Sequence, residues 1–378
     1  MRSYIAGLVT TRTPRIAAIL AALTLVWLAT GAKNPAARAA ALPPIKHVFV
    51  IVLENENSTT TFGPNSPAPY LSKTLTAQGE LLSQYYGTGH ESNDNYVAMI
   101  SGQAPNPQTQ SDCQIFLDWA PPAAVVDGNG QAVGTGCVYP SAIHSLPNQL
   151  DAAGLTWRAY MEDMHTPCRH PAVNAHDTTQ KATVGDQYAT RHNPFVYFHS
   201  VIDDGAYCAQ HVVDLAALSG DLASTSTPNL TFIVPNLCHD GHDAPCVDGE
   251  PGGLVSADRF LQQWVPQIMA SPAYQQDGML VITFDEASAT NADACCGEQS
   301  GPNSPLPGVV GPGGGQVGAV VLSRYVAAGS TNPTPYNHYA LLRSIEDLFG
   351  LGHLGFAAAP TLQAFGGDVY NAPAVTPN

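Results

Sequence analysis

Residues 46–53 read KHVFVIVL, a nearly unbroken run of β-branched and other apolar residues. A run of this kind, without alternating polar positions, is typical of a strand buried on both faces of a parallel sheet. Comparable runs recur at residues 156–160, 230–234, 279–284 and 317–322. These runs predict several neighbouring strands of one larger sheet.

Patterns typical of helices separate these runs, at residues 68–78, 95–101, 146–153, 255–270 and 338–349. Strands that alternate with helices predict the α/β class, as a three-layer α/β/α sandwich with a mostly parallel sheet. Two segments rich in Gly, Pro, Ser and Asn, 103–140 and 287–315, predict long loops over one edge. Because no linker interrupts the series of strands, we expect a single domain over residues 40–378.

The first 39 residues have the pattern of a secretory signal peptide. Arg2, Arg12 and Arg15 precede an apolar run at 16–32, and residues 37–39 (ARA) offer a small-x-small cleavage site. A single anchoring helix is the alternative, but the run is shorter than the roughly 20 apolar residues of a full membrane span. We therefore expect a secreted, extracellular or periplasmic protein without a stable membrane anchor.

All eight cysteines follow this segment. An even number of cysteines in an exported chain indicates disulfides, and a zinc site has no paired CxxC arrangement to support it. The adjacent Cys295 and Cys296 either pair with each other or reach elsewhere. Pairing of nearest neighbours predicts the remaining bonds, Cys113–Cys137, Cys168–Cys208 and Cys238–Cys246.

The charge is strongly acidic, with 14 Lys and Arg against 30 Asp and Glu and a net charge of -16. The predicted signal peptide holds five of the basic residues and no acidic one, so the rest of the chain has a net charge of -21. Such a surface repels phosphate backbones, and we expect no binding to nucleic acid. Binding of a cation is favoured instead.

Acidic and amide residues follow two of the predicted strands directly. Glu54 and Asn55 come after the first strand, and Asp285 and Glu286 come after the strand at 279–284. Each pair has a local alternative role in a turn or at a helix start. Because ligands bind at the carboxyl ends of parallel strands, the two pairs together predict a site for a divalent cation.

The strand at 230–234 runs into residues 235–243, PNLCHDGHD. This segment brings Asp240 and His242 to the same edge of the predicted sheet, although its histidines are equally consistent with the surface of a disulfide loop. Carboxylate and imidazole groups extend the predicted metal site with oxygen and nitrogen ligands.

Residues 89–96, GHESNDNY, offer a nucleophile. Ser92 is placed near the start of a predicted helix, where backbone N–H groups and the helix dipole favour oxyanions. An N-cap role explains a serine there without catalysis. No G-x-S-x-G motif occurs, which disfavours an α/β-hydrolase triad. A serine beside carboxylates and a cation indicates attack on phosphorus rather than on an acyl carbon.

The motifs occur in a fixed order: E-N, H-x-S-x-x-N-Y, D-x-H-D, D-E and a late N-H-Y-x-L-L-x-S-I-E-D-L-F-G-L helix. Together they resemble the secreted phosphoesterase family of acid phosphatases and bacterial phospholipases C, whose fold is alkaline-phosphatase-like. The resemblance covers residues 45–355. Within the family the chain looks most like the single-domain secreted acid phosphatases, including a phosphatidylinositol-3-phosphate phosphatase.

The resemblance implies a role for each matching residue. Ser92 is the implied nucleophile, His90 positions the phosphate or protonates the leaving group, and His242 belongs to the catalytic D-x-H motif. The implied contacts to the phosphate are Asn95, His192 and His338. The implied ligands of one or two divalent metal ions are Glu54, Asn55, Ser92, Asp285, Glu286 and Asp240.

Three features depart from the family pattern. Glu91 and Asp94 replace prolines that often flank the nucleophile, and Arg191 replaces a lysine in the segment that usually reads Lys-His-Asn-Pro. Cys295-Cys296 and the glycine-rich residues 311–315 form an insertion without an assigned role.

The resemblance implies a secreted phosphomonoesterase that acts through a phosphoserine with the help of a divalent metal ion. Its expected substrates are phosphate esters, including lipid or inositol phosphates. Histidines protonated near their ordinary pKa of ~6.5 predict an acidic optimum. The alternatives are a phospholipase C-type phosphodiesterase and an inactive secreted binding protein.

Overall fold

A computed structural model describes residues 42–302 and 304–372. The predicted signal peptide lies outside the described residues. The strands are β1 His47–Leu53, β2 Glu80–Leu82, β3 Tyr85–Tyr86, β4 Trp157–Met161, β5 Val212–Asp214, β6 Leu230–Val234, β7 Gly278–Phe284, β8 Ala319–Ser323, β9 Ser330–Asn332 and β10 Tyr336–Asn337. The α-helices are α1 Ser58–Thr61, α2 Thr76–Gln78, α3 Ser92–Ser101, α4 Leu146–Ala152, α5 His199–Ile202, α6 Gly205–His211, α7 Leu218–Ala223, α8 Gly253–Ala270, α9 Pro272–Asp277 and α10 His338–Phe349.

The main sheet has eight strands in the order β5-β4-β6-β1-β7-β8-β2-β9. Strand β1 lies near its middle and runs parallel to both neighbours, β6 and β7. Strand β8 is antiparallel to β7 and to β2. Helices α7, α8 and α9 pack in one group, while α3, α4 and α10 pack in another. The predicted α/β sandwich with a mostly parallel sheet is confirmed.

The apolar run that begins the sheet is buried because it has neighbours on both edges and both faces. From Val48 to Leu53 every residue of β1 is 0% exposed. Leu53 pairs with Phe284 at the end of β7, and Ile51 pairs with Ile233 near the end of β6. The residues that follow these three strands therefore emerge side by side at one edge of the sheet.

Two predicted helices have different bounds in the structure. Helix α3 begins at Ser92 rather than at residue 95, because the side chains of Ser92, Asn93 and Asn95 in its first turn are buried and hydrogen-bonded by the protein. The predicted helix at 68–78 is divided into a π-helical turn, Tyr70–Leu75, and the short α2. The carboxylate of Asp258 in α8 accepts the N–H groups of Tyr70 and Leu71, so a tertiary contact fixes the start of this turn.

The segments at 103–140 and 287–315 are long loops, as predicted, and disulfides tie parts of both. All eight cysteines are paired, as Cys113–Cys137, Cys168–Cys208, Cys238–Cys246 and Cys295–Cys296. The predicted nearest-neighbour pairs are confirmed, and the two adjacent cysteines pair with each other. Within the described part of the chain, the helices are too short or too polar to cross a membrane.

Candidate active site

The ends of the three central strands form the floor of the candidate site. Glu54 follows β1, and its N–H donates to the carbonyl of Asp240 at 2.8 Å. On the other side, the N–H of Asp285 donates to the carbonyl of Leu53 at 2.8 Å. These two backbone hydrogen bonds place Asp240 and Asp285 on either side of Glu54.

The hydroxyl group of Ser92 contacts the carboxylate of Glu54. Its Oγ donates to Oε2 of Glu54 at 2.9 Å, and the hydroxyl of Tyr96, one helical turn later, donates to Oε1 at 2.6 Å. Ser92 is the first residue of α3, and the extended Glu91 is the N-cap. The side chain of Ser92 is therefore directed to a carboxylate and does not cap the helix, which excludes the simplest structural explanation for this serine.

The loop before Ser92 is held by Asn95. Its Oδ1 accepts the N–H groups of Thr88 and Gly89, and its Nδ2 lies within hydrogen-bond distance of the Gly89 and Glu91 carbonyls and of Oε2 of Glu286. These bonds occupy both ends of the amide. The structure thus shows Asn95 holding the loop before Ser92, and its amide is engaged inside the protein rather than free for the predicted contact to a phosphoryl oxygen.

Asn55 joins the ends of β1 and β7. It lies in the left-handed region with φ 50, which asparagine tolerates better than most residues. Its N–H donates to Oδ1 of Asp285 at 3.2 Å, and its Nδ2 donates to Oε1 of Glu286 at 3.3 Å. Oδ1 of Asn55 and Oδ2 of Asp285 are buried and have no hydrogen-bond partner among the residues that the structure describes. Buried oxygens left free in this way fit a hard divalent cation.

His192 lies between two carboxylates and stacks on Tyr96, with ring centroids 5.3 Å apart. Its Nε2 is 3.4 Å from Oε2 of Glu54, and its Nδ1 is 3.4 Å from Oδ2 of Asp240. One ligand atom from each of Glu54, His192 and Asp240 lies within 4.8 Å of the others. The predicted phosphate contact is therefore placed where a metal ligand is expected.

The other predicted histidines lie in different surroundings. His90 is buried, with Nδ1 3.3 Å from Oε2 of Glu286. His338 is 0% exposed, and its two ring nitrogens contact the Asp285 carbonyl and the Tyr85 hydroxyl. The structure therefore leaves His338 no free nitrogen for the predicted phosphate contact.

The His242 side chain is 37% exposed and pairs with Asp243 at 2.7 Å. Only its backbone N–H reaches the site, donating to Oδ1 of Asp240 at 2.8 Å. The structure therefore places the His242 imidazole at the rim and not in contact with Ser92 or Glu54.

Crowding of acids dominates the electrostatics of the site. Burial, reinforced by neighbouring carboxylates, raises the pKa of Glu54 and of Glu286 well above the ordinary value, and burial does the same for Asp240. Burial raises the pKa of Asp285 to about 7. A divalent cation stabilises the ionised forms, so this set of groups fits a metal ion chemically as well as in its free oxygens.

Burial lowers the pKa of the buried imidazoles in the site, whereas it raises the pKa of the carboxyl groups. It lowers the pKa of His90, it lowers that of His192 well below the ordinary value, and it lowers that of His338 to about 4. Burial thus disfavours the protonated form of all three imidazoles. The expectation that protonated histidines produce an acidic optimum is not supported by this geometry.

Arg191, which stands where the family segment usually has lysine, is buried beside the site. Nε of Arg191 lies 3.5 Å from Oδ2 of Asp112, and Oδ1 of Asp112 accepts the N–H of Asn93 in the first turn of α3. In turn, Nδ2 of Asn93 donates a hydrogen bond to the Arg191 carbonyl at 3.1 Å. Asp112 was missed because it lies in a long loop without a recognisable motif.

Asp94, which also departs from the family pattern, is buried in the structure. It is 1% exposed, and both carboxylate oxygens lack a hydrogen-bond partner among the described residues. Burial, with the neighbouring Asp112 and Glu91, raises its pKa well above the ordinary value. Burial thus disfavours the ionised form of Asp94, at a position where the family often has proline.

Comparison with known proteins assigns the family. A model of the phosphoesterase family matches residues 65–352. This match covers more than half of the chain, and the chain therefore belongs to the phosphoesterase family.

Named relatives match over much of the chain. It is 27% identical over 336 residues to a phosphate-repressible acid phosphatase of Penicillium chrysogenum, across 86% of this chain but only 66% of that protein. It is 26% identical over 362 residues to a phosphatidylinositol-3-phosphatase of Mycobacterium tuberculosis, across 95% of this chain and 96% of that protein. A solved alkaline phosphatase superfamily structure from Vibrio parahaemolyticus matches with a TM-score of 0.47 at 12% identity, over 83% of this chain and 68% of that one.

Proposed function

We propose that the protein is a secreted phosphomonoesterase of the acid phosphatase type, with Ser92 as the nucleophile. The hydrogen bond from Ser92 Oγ to Glu54 carries this proposal, because it places a buried hydroxyl, at the start of a helix, against a proton acceptor. The family and the names of the relatives support phosphate esters as the substrate class.

The proposed metal ligands come from the three strand ends and from the start of α3. They are Glu54, Asn55, Ser92, Asp240, Asp285 and Glu286, to which the geometry adds His192. A divalent cation bound there supplies charge neutralisation for phosphate oxygens and lowers the pKa of a bound hydroxyl.

The protein groups then account for the transfer of protons. Glu54 accepts the proton of Ser92 while a bond forms between Oγ and phosphorus and the bond to the leaving oxygen breaks. The leaving oxygen takes up a proton at the rim of the site, where His242 is the candidate donor, while the buried His90 is the candidate group for positioning the phosphate. Water then attacks the phosphorus of the phosphoserine, the bond between Oγ and phosphorus breaks, and Glu54 returns its proton to Oγ as the inorganic phosphate departs.

Positive charge from the protein comes from α3 and from Arg191. The N-terminus of α3 favours negative charge beside Ser92. Arg191 is 5% exposed and is oriented by Asp112, so its guanidinium group is a fixed charge close to the carboxylates. Both features favour a phosphate group in a chain whose net charge is negative.

The purified chain tests this proposal directly. We expect turnover of p-nitrophenyl phosphate and incorporation of phosphate at Ser92 in rapidly quenched samples, detected as a phosphopeptide by mass spectrometry. Phosphatidylinositol 3-phosphate is a second substrate to assay, because the Mycobacterium tuberculosis relative bears that name. Turnover of phosphatidylcholine without turnover of monoesters would replace the proposal by a phospholipase C-type activity. Absence of all turnover would leave a binding protein.

Export is a separate part of the proposal. We propose that residues 1–39 are removed as a signal peptide and that residues 40–378 form one phosphoesterase domain. The four disulfides support an oxidising compartment. Mass spectrometry of the secreted protein should give a mature N-terminus near Ala40. A secreted protein that retains residues 16–32 would contradict the assignment.

A further inference from the structure

A cavity of about 600 Å³ lies at the far end of helix α3 from Ser92. Its wall includes Phe356, whose N–H donates to the carbonyl of Gly102, the C-cap of α3, at 2.8 Å. Helix α3 rises by roughly 1.5 Å per residue, so Gly102 and Ser92 are separated by about 15 Å. The Phe356 side of the cavity therefore lies away from Ser92.

The polar groups of this cavity do not suit an anion. Oε1 of Glu298 accepts from Asn337 at 2.8 Å, and its Oε2 accepts the N–H of Cys296 at 3.0 Å. The imidazole of His353 is paired with Asp347 at 2.8 Å. Among the described residues that line the cavity, no lysine or arginine is present. Each Glu298 oxygen retains acceptor capacity, so the wall favours a ligand that donates hydrogen bonds.

Apolar faces complete the wall. The rings of Tyr339 and Phe356 meet edge to face, with centroids 5.6 Å apart and an angle of 79° between their planes. Beside them, the bond between the adjacent Cys295 and Cys296 closes a small covalent ring. Pockets that combine apolar faces with a few placed polar groups are typical small-molecule sites, and their volumes are roughly 300–1,000 Å³.

We propose that this cavity binds an uncharged hydroxylated ring, either a sugar or a cyclitol. The hydroxyl groups donate to Glu298 while the C–H face of the ring lies against the aromatic and disulfide wall. Side-chain amides of Asn129 and Gln299 on the same wall offer both donors and acceptors to the remaining hydroxyls. A quaternary ammonium would also suit a carboxylate beside aromatic rings. The neutral ring is favoured because both Glu298 oxygens are already partly neutralised by donors.

Gly128 provides a variant that fills the cavity. It lines the cavity, and a Cβ added to it would meet no atom within 4 Å, so Gly128→Trp adds a large side chain without a clash at Cβ. Gly128→Ala is the matched control that leaves the cavity open. Glu298→Gln keeps the shape of the side chain and removes its charge. Neither residue belongs to the proposed catalytic machinery.

The experiment measures binding of methyl α-glucoside and myo-inositol to the full chain by saturation-transfer NMR and calorimetry, with choline and inorganic phosphate as further probes. We expect one of the two neutral rings to bind the wild type and Gly128→Ala, to bind Glu298→Gln about tenfold more weakly and to be lost in Gly128→Trp. The ring that binds distinguishes sugar from cyclitol. Turnover of p-nitrophenyl phosphate should be unchanged in Gly128→Trp, which shows that this variant is folded.

Three outcomes would overturn the proposal. The first is that neither neutral ring binds the wild type, and the second is that choline binds in their place. The third is that a ring binds Gly128→Trp and Glu298→Gln as well as it binds the wild type. If Gly128→Trp fails to fold, the affinity of Glu298→Gln decides alone. Because binding is measured without catalysis, failure here is distinct from failure of the proposed phosphatase activity.

Discussion

Ser92 Oγ donates to Oε2 of Glu54 at 2.9 Å, while Tyr96 donates to the other oxygen of the same carboxylate at 2.6 Å. The carboxylate is thus held in one orientation by two residues of one helix. Because Glu54 emerges from the central strand and Ser92 begins α3, the relative position of sheet and helix determines this contact. A fixed acceptor beside a hydroxyl is what the proposed nucleophilic role requires.

Removal of the nucleophile should abolish turnover without unfolding the protein. Ser92→Ala is expected to lower kcat by at least about three orders of magnitude, as removal of an activated nucleophile does in other enzymes. Tyr96→Phe, which keeps the ring that stacks on His192 and removes only the hydroxyl, should lower kcat by a smaller factor. Rates with p-nitrophenyl phosphate and circular dichroism spectra check both. A folded Ser92→Ala variant with near wild-type kcat would place the nucleophile elsewhere.

Loss of one strand-end carboxylate should remove metal and activity together. Asp285→Asn is expected to lose at least one equivalent of bound metal, because Oδ2 of Asp285 is buried without a hydrogen-bond partner. Asp243→Asn is the matched control, since Asp243 pairs with the exposed His242. Elemental analysis of both purified variants and of the wild type is the measurement. Full activity in wild-type protein with less than a tenth of an equivalent of any divalent metal would contradict the metal-assisted mechanism.

Stability without metal should depend on pH with a definite sign. The pKa of Asp285 is raised to about 7 by burial, so the folded state keeps a proton that the unfolded chain releases near its ordinary pKa of ~3.9. The free energy of unfolding in EDTA should therefore fall as pH rises from about 4 to about 7. Urea titrations at several pH values measure this fall. Saturating divalent metal should reduce it, and an identical pH profile with and without metal would contradict the assignment of these carboxylates as ligands.

Asp112 should act on phosphate binding through Arg191. Asp112→Asn removes the charge paired with Nε of Arg191 at 3.5 Å but keeps an acceptor for the N–H of Asn93. We expect KM for p-nitrophenyl phosphate to rise by about tenfold, with a smaller change in kcat, because a less firmly oriented guanidinium binds phosphate less well. Arg191→Lys should retain more activity than Arg191→Met. Equal KM values in Asp112→Asn and the wild type would exclude this positioning role.

We expect the glycine-rich residues 311–315 to need glycine at Gly314, because a side chain there would clash with a neighbouring loop. A Cβ on Gly314 would lie 2.0 Å from the carbonyl oxygen of Gly89 in the nucleophile loop. Gly314→Ala is therefore expected to lower the free energy of unfolding by about 1–3 kcal/mol and to lower kcat. Gly352→Ala, where a Cβ meets no atom within 4 Å, is the control. Thermal melts and turnover are compared, and equal values in the two variants would show that the loops do not need this close approach.

The sequence by itself determined the central sheet and the acids at its edge. The apolar run at 48–53 indicates a strand buried on both faces, and residues that follow parallel strands share one edge of the sheet. The sequence therefore places Glu54, Asn55, Asp285 and Glu286 at one edge of the sheet, where the structure brings them together. The spacing of the cysteines also indicated three of the four disulfides, because close neighbours in sequence are the easiest to join.

Only the tertiary structure decided what each polar side chain contacts. Asn95 and His338 match the motif, yet their hydrogen bonds are used inside the protein, while His192 lies between two carboxylates. Asp112 approaches Arg191 across 79 positions of the sequence, from a loop without periodicity. Such contacts depend on how loops close over α3, since side-chain hydrogen bonds follow distance and direction in space. Residue type and order along the chain do not specify either quantity.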